Sequence, residues 1–168
     1  MNITKSLAAA TVALGLVSTT PAFAAEVITL NFTDTKDIGQ SSVLAWSWGA
    51  SNSGTTQVGG GGGAGKANVQ DLSLTRAVDS QSPSFLRGVV TGKHYPIAIL
   101  QDGPVKITLM NVLVTSLSTG GVAAKKAQLT ENITLNFSEF IYEVNGATFT
   151  WDIAANSCLL YTSPSPRD

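Results

Sequence analysis

Apolar and polar residues alternate along most of the chain between residues 28 and 153. The segments 28–32, 105–109 and 133–137 each place an apolar side chain at every second position. A period of two is typical of a β-strand with one buried and one wetter face. The pattern predicts six to eight strands in a mostly β chain without an internal repeat.

Two of the apolar runs change phase. Even-numbered apolar positions follow Leu109, and Phe140 and Tyr142 follow Phe137. A β-bulge shifts the phase in this way and bends the strand, which a sheet needs in order to close. The alternative is a strand that is buried on both faces. We favour bulges, near Asn111 and between 138 and 139, and therefore predict a closed β-barrel.

One segment, residues 82–92, interrupts the β pattern and predicts a short α-helix. Ser82 is suited to cap it, Pro83 to occupy its first turn and Gly92 to end it in a left-handed conformation. About three turns are not stable alone in water, so one face of this helix should pack on the barrel. The predicted buried face consists of Phe85, Leu86 and Val89.

Both ends of the chain differ in character from the middle. Residues 1–24 have a basic start, an apolar stretch and an Ala-Phe-Ala cleavage pattern, which predict a signal peptide and a mature start at Ala25. The apolar stretch is too short to span a bilayer. Residues 158–168 break the composition abruptly and resemble a translated adapter from a sequencing library. We expect one domain, residues 25–157, in an exported, periplasmic or extracellular protein.

Charge and cysteine content exclude several classes of function. The formal net charge is −1, and no basic cluster exists beyond Lys125 and Lys126, so binding to nucleic acid is not expected. The single cysteine, Cys158, falls in the foreign tail. The natural part would then lack a thiol for disulfides, thiolate catalysis or zinc.

Glycine is concentrated between residues 59 and 66. Gly60, Gly65 and Lys66 have the spacing of a phosphate-binding P-loop, but Ala67 replaces the required Ser or Thr. A strand pattern follows instead of the helix that such a loop needs. A loop that becomes ordered when something packs on it is the better interpretation.

The remaining candidates for chemistry are isolated. His94 is the only histidine, and we interpret it as a contact to the end of the helix. Glu139 and Glu143 are too far apart along a strand for a glycosidase pair. Trp46 and Trp48 share one face with Leu44, and a place in the core is favoured over a sugar-binding platform. We expect no enzyme activity, no cofactor and no metal.

Several separated blocks resemble the Hcp (haemolysin co-regulated protein) family of type VI secretion tube proteins. The clearest blocks are WSWG at 46–49, VQDLSL at 69–74, TGKHYP at 91–96 and LTENITLNF at 129–137. The resemblance covers most of residues 30–156. It implies a β-barrel of two antiparallel sheets with one short flanking α-helix, and it brings no catalytic residues.

The resemblance also implies an assembly. The chain would form a homo-hexameric ring with a wide channel, in which small effector proteins travel, and rings would stack into a tube. The residues that would contact the neighbouring ring are Gly49, Gly59, Gly60, Gly61, Gly62, Gly63, Gly65 and Lys66. A signal peptide is unusual for such a protein. The alternative is therefore a monomeric exported β-barrel module that binds carbohydrate or protein.

Overall fold

The computed structural model describes residues 27–33, 35–54, 66–121, 123 and 127–158. They form one helix and twelve strands. In chain order these are β1 (Ile28–Thr33), β2 (Gln40–Val43), β3 (Ala45–Ser47), β4 (Ala50–Asn52), β5 (Ala67–Val69), β6 (Leu72–Ala77), α1 (Ser82–Thr91), β7 (His94–Asp102), β8 (Val105–Gly120), β9 (Thr130–Asn136), β10 (Glu139–Val144), β11 (Ala147–Asp152) and β12 (Ser157–Cys158).

Strand β8 organises the main sheet. Its first part pairs with β10, its last part pairs with β9, and β7 lies along its other side as far as Leu113. The sheet continues from β7 to β1 and β2, from β10 to β11 and β12, and from β9 to β6 and β3. All of these pairings are antiparallel, and the curved layers enclose a core of leucine, isoleucine, valine and aromatic side chains.

The prediction of a closed barrel is wrong, because no sheet of the described residues closes on itself. The gap lies between β2 and β6, where the hydrogen bond from Leu44 N–H to Thr75 O is the link between the two edges. The side chain of Gln81 covers part of the β2 edge. It accepts from Gly39 N–H at 3.0 Å and donates to Gln40 O at 2.8 Å.

The predicted phase change in β8 is present, but the bulge lies elsewhere. Leu109 and Val112 are both buried, and Asn111 between them has a left-handed φ of 52°. The β7–β8 register does not shift there, because the buried positions of β7 also change from odd to even numbers, between Tyr95 and Ala98. The register shift instead lies between Val114 and Ser116, against β9.

Helix α1 follows the prediction except at its start and on one face. Gly92 ends the helix with φ 61°, as expected, and Phe85 is buried. Ser82 does not cap the helix, because its hydroxyl donates to Glu131 Oε1 at 2.9 Å. Leu86 is 48% exposed, and Gly88 replaces it on the buried face.

Candidate functional site

The glycine-rich segment is described only at its two ends. Gly49 is half-buried beside β4, and Lys66 is exposed at the start of β5. The strands β4 and β5 pair into a separate two-stranded sheet. The predicted contact residues Gly59, Gly60, Gly61, Gly62, Gly63 and Gly65 lie outside the described residues. Their role in ring stacking stays a prediction.

The base of this segment is held to the main sheet. Gln70 N–H donates to Gly49 O at 2.9 Å, and Trp48 Nε1–H donates to Gln70 O at 3.0 Å. A strand, not a helix, follows Lys66. The arrangement therefore lacks the helix N-terminus that a P-loop presents to phosphate.

The other sequence candidates lie apart from one another. Trp46 and Trp48 are half-buried against the core, as favoured, and Trp46 Nε1–H donates to Asp102 Oδ2 at 2.7 Å. His94 begins β7, and its Nδ1 lies 2.9 Å from Asn111 Oδ1 rather than at the end of the helix. No cluster of three or more metal-binding side chains occurs among the described residues. Within the same residues, no helix has the length and apolar character needed to cross a membrane.

Sequence reasoning missed the most unusual surface, which lies on the outward face of β3, β6, β9 and the last part of β8. We call it the uncharged face. Its side chains point away from the core because their neighbours on the same strands are buried. The ladder residues of this face are Ala45, Ser47, Ser73, Thr75, Ala77, Ser116, Ser118, Gly120, Thr130, Asn132 and Thr134.

The uncharged face carries no charged side chain at these ladder positions, and Asp71 lies just beyond them, where its carboxylate accepts from Asn136 Nδ2 at 2.8 Å. Two of its rows cross all four strands, one from Ser47 to Ser116 and the other from Ala45 to Ser118. A solvent-exposed surface usually carries charge on about a quarter to a third of its residues. Charged residues lie instead on the outward face of β8 and β10, where Lys106 Nζ is 3.5 Å from Glu143 Oε2.

Hydrogen bonds between side chains link neighbouring strands of the uncharged face. Thr75 Oγ1 donates to Asn132 Oδ1 at 2.7 Å, and Ser116 Oγ donates to Thr134 Oγ1 at 2.9 Å. In these contacts, the hydrogen-bonding groups of the uncharged face are paired with one another. The side chains of this face are therefore short and polar, and some of them hydrogen-bond to one another. They surround a shallow depression of about 260 Å³ between β3, β6 and β9.

A buried ion pair lies directly behind this face. Arg76 and Glu131 are 0% and 1% exposed, and Arg76 Nη1 donates to Glu131 Oε1 at 2.6 Å. Arg76 also forms an ion pair with Asp79. Burial raises the pKa of Asp79, but the hydrogen bonds from Arg76 and from Gln81 N–H outweigh it and hold this pKa below its usual value. The charges of β6 and β9 thus point inward.

Residues 23–144 match the family described as "Type VI secretion system effector, Hcp", which is more than half of the chain. The chain belongs to the Hcp family. Its resemblance to that family is therefore confirmed, and Hcp proteins belong to type VI secretion systems.

Individual Hcp proteins are also similar to this chain in sequence and in structure. Protein hcp1 of Pseudomonas aeruginosa is 51% identical over 83 residues, which cover 44% of this chain and 51% of that protein. The match thus spans about half the length of this curated relative. Hcp1 from Salmonella typhimurium is 26% identical with a TM-score of 0.63, over 79% of this chain and 98% of that one.

A further solved structure supports the fold alone. It is described as a type six secretion system protein and has a TM-score of 0.70 at 22% identity, over 80% of this chain and 99% of that chain. The mostly β architecture with one short helix is therefore that of Hcp proteins. Alternating Ser, Thr, Asn and Ala on successive strands was the sequence signal that could have located the uncharged face.

Proposed function

We propose that the mature chain forms homo-hexameric rings whose central channel is lined by the uncharged face. The rings stack into a type VI secretion tube, and small effector proteins travel in the channel. The protein acts as a structural carrier and not as an enzyme. The observation that carries this proposal is the absence of charge at the ladder positions of a broad outward face of the described strands, with Asp71 lying only at its end.

A channel wall explains this composition better than a solvated surface does. Charged side chains on an exposed sheet favour solubility and oppose association of sheet edges. A wall that faces many different cargo proteins has another requirement, since fixed charges would hold oppositely charged cargo and repel the rest. Short hydroxyl and amide groups that bond to one another avoid both effects.

The glycine-rich segment has a consistent place in this assembly. We assign ring stacking to Gly49, Gly59, Gly60, Gly61, Gly62, Gly63, Gly65 and Lys66. The β4–β5 pair forms a two-stranded sheet separate from the main one, which is a suitable base for a segment that contacts a neighbouring ring. Glycine costs conformational entropy when it is fixed, so this segment is suited to fold on its partner.

Light scattering of the purified mature protein tests the ring, and electron microscopy tests its central hole. A hexamer with a hollow centre is expected. The wall is tested with Ser73→Lys and Thr134→Lys, which should preserve the hexamer but change which cargo co-purifies according to cargo charge. Thr150→Lys on β11, outside the uncharged face, is the matched control. A monomer at high concentration would contradict the proposal.

We also propose that residues 1–24 are a cleaved signal peptide and that the natural domain ends near residue 157. Mass spectrometry of the exported protein should give a mature start at Ala25. Cys158 pairs with Trp151 in β12, so the foreign tail would begin inside a short strand. Removal of residues 158–168 should leave the free energy of unfolding nearly unchanged if this tail is not native.

The alternative, a monomeric exported binding module, has one observation in its favour. Phe149 and Trp151 are stacked with an interplanar angle of 22° and line a cleft of about 250 Å³. Aromatic rings of this kind can hold a sugar ring. Glycan-array binding that Phe149→Ala and Trp151→Ala abolish, together with a monomeric state, would favour this function over the ring.

A further inference from the structure

The uncharged face ends on both sides in a strand edge that has no strand partner among the described residues. On one side β3 pairs with β6 alone. On the other side residues 114–120 of β8 pair with β9, while β7 extends along β8 only as far as Leu113. Such edges present N–H and C=O groups that are free to pair with another chain.

The directions of these two edges are complementary. The strands β3, β6, β9 and β8 are antiparallel to one another in that order, so β3 and β8 run in opposite directions. A second copy in the same orientation therefore places its β3 antiparallel to the β8 edge of the first. The contact joins two different edges. It leaves a free β3 edge on the first copy and a free β8 edge on the second, so that further copies can add in the same way until a ring closes.

Leu44 gives this contact a specific anchor. Both Leu44 and Ala45 lie opposite Thr75, since Leu44 N–H donates to Thr75 O at 2.8 Å and Ala45 is the ladder partner of Thr75. Two residues opposite one form a β-bulge. Val43 before the bulge is buried and Trp46 after it packs on the core, so Leu44 and Ala45 both point outward. This leaves Leu44 51% exposed at the corner of the uncharged face.

We propose that Leu44 of one copy packs against Ser118 and Gly120 on the β8 edge of a second copy. The row that starts at Ala45 ends at Ser118, and the next row ends at Gly120. When these rows continue from the β8 edge of one copy into β3 of the next, Leu44 of the next copy lies beside Ser118 and Gly120. A Cβ atom at Gly120 would meet nothing within 4 Å, so there is space for a leucine side chain. This contact rests on the proposed ring.

Disulfide trapping tests the contact directly. In a Cys158→Ser background, Leu44→Cys is combined with Gly120→Cys. Within one chain these positions lie on opposite edges of four strands, about 14 Å apart at about 4.8 Å per strand spacing. A disulfide requires Cα atoms about 4.4–6.8 Å apart. Oxidation should therefore produce a ladder of covalent oligomers, whereas Leu44→Cys combined with Thr148→Cys should produce none.

A second measurement is the stability of the assembly. Leu44→Asp and the milder Leu44→Ser should raise the dissociation constant between copies about tenfold or more. Val90→Asp, at an exposed position on α1, is the control and should not. Circular dichroism should show the same fold in all variants.

The outcomes separate the contact from the ring. Hexamers without a covalent ladder, or with unchanged stability in Leu44→Asp, would overturn the contact and leave the ring in place. A native protein that stays monomeric at high concentration would overturn both.

Discussion

Gly88 lies on the buried face of α1, close to Tyr95 of β7. A Cβ atom at Gly88 would lie 2.8 Å from the Tyr95 hydroxyl oxygen, and 3.4 Å and 3.5 Å from Cε2 and Cζ of the ring. The Tyr95 side chain is 1% exposed and its ring lies 5.1 Å from that of Phe32, so it has little room to move. The hydroxyl group therefore limits the size of the residue at position 88.

Replacement of Gly88 by alanine has two opposing effects. Alanine favours a helix by about 1 kcal/mol relative to glycine. Overpacking a core usually costs about 1–3 kcal/mol. Gly88→Ala should thus lower the free energy of unfolding by about 1 kcal/mol. In a Tyr95→Phe background the closest ring contact is 3.4 Å, and the same change should be neutral or stabilise by up to about 1 kcal/mol.

A double-mutant cycle measured by urea denaturation provides the test. The coupling between Gly88→Ala and Tyr95→Phe should favour the double variant by at least about 1 kcal/mol. Thr91→Ala is the control, because its exposed hydroxyl donates to Arg87 O and does not contact Tyr95. Equal effects of Gly88→Ala in both backgrounds would refute the steric explanation.

Three further predictions concern the ion pairs and the open edge. Glu131→Ala should lower the free energy of unfolding by about 3 kcal/mol, because the buried Arg76 then keeps only the partly exposed Asp79 as an ion-pair partner among the described residues, whereas Arg76→Met with Glu131→Leu should cost much less; chemical denaturation measures both. Gln81→Ala removes hydrogen bonds at the β2 edge and should cost about 2 kcal/mol, with faster hydrogen exchange at Gly39. The hydrogen bond and charge of Lys93 lower the pKa of Asp37. The Asp37 carboxylate should therefore stabilise the fold above its ordinary pKa of 3.8, and this contribution should be lost as the pH falls through the lower pKa that Asp37 has in the folded protein. A stability–pH curve unchanged by Asp37→Asn would contradict this.

Alternation of side chains predicts those strands whose buried face stays the same throughout. In β9, Ile133 and Leu135 are buried and Asn132 is exposed, as the period of two requires. The Asn145-Gly146 turn is also determined locally. Its φ angles of 52° and 85° are the positive values that a tight hairpin turn needs.

Features that depend on a partner strand could not be predicted from local pattern. Leu44 shares the period of Trp46 and was assigned to the buried face, but the bulge opposite Thr75 turns it outward. Ser82 has a suitable position for a helix cap, yet its hydroxyl bonds to Glu131, which is distant in sequence. In each case the competing contact comes from a residue more than thirty positions away or from the opposite strand.

The charged and uncharged outer surfaces are separated within the single strand β8. Its first part carries Lys106 outward, opposite Glu143 of β10, and its last part carries Ser116 and Ser118 outward, beside β9. Asn111 lies at the point where β8 exchanges β10 for β9, and its left-handed conformation shifts the buried positions there. The register shift after Val114 shifts them a second time, so that Leu117 again faces Ile133. Two local irregularities thus allow one continuous strand to serve both surfaces, which is why the uncharged face can be uniform although β8 as a whole is not.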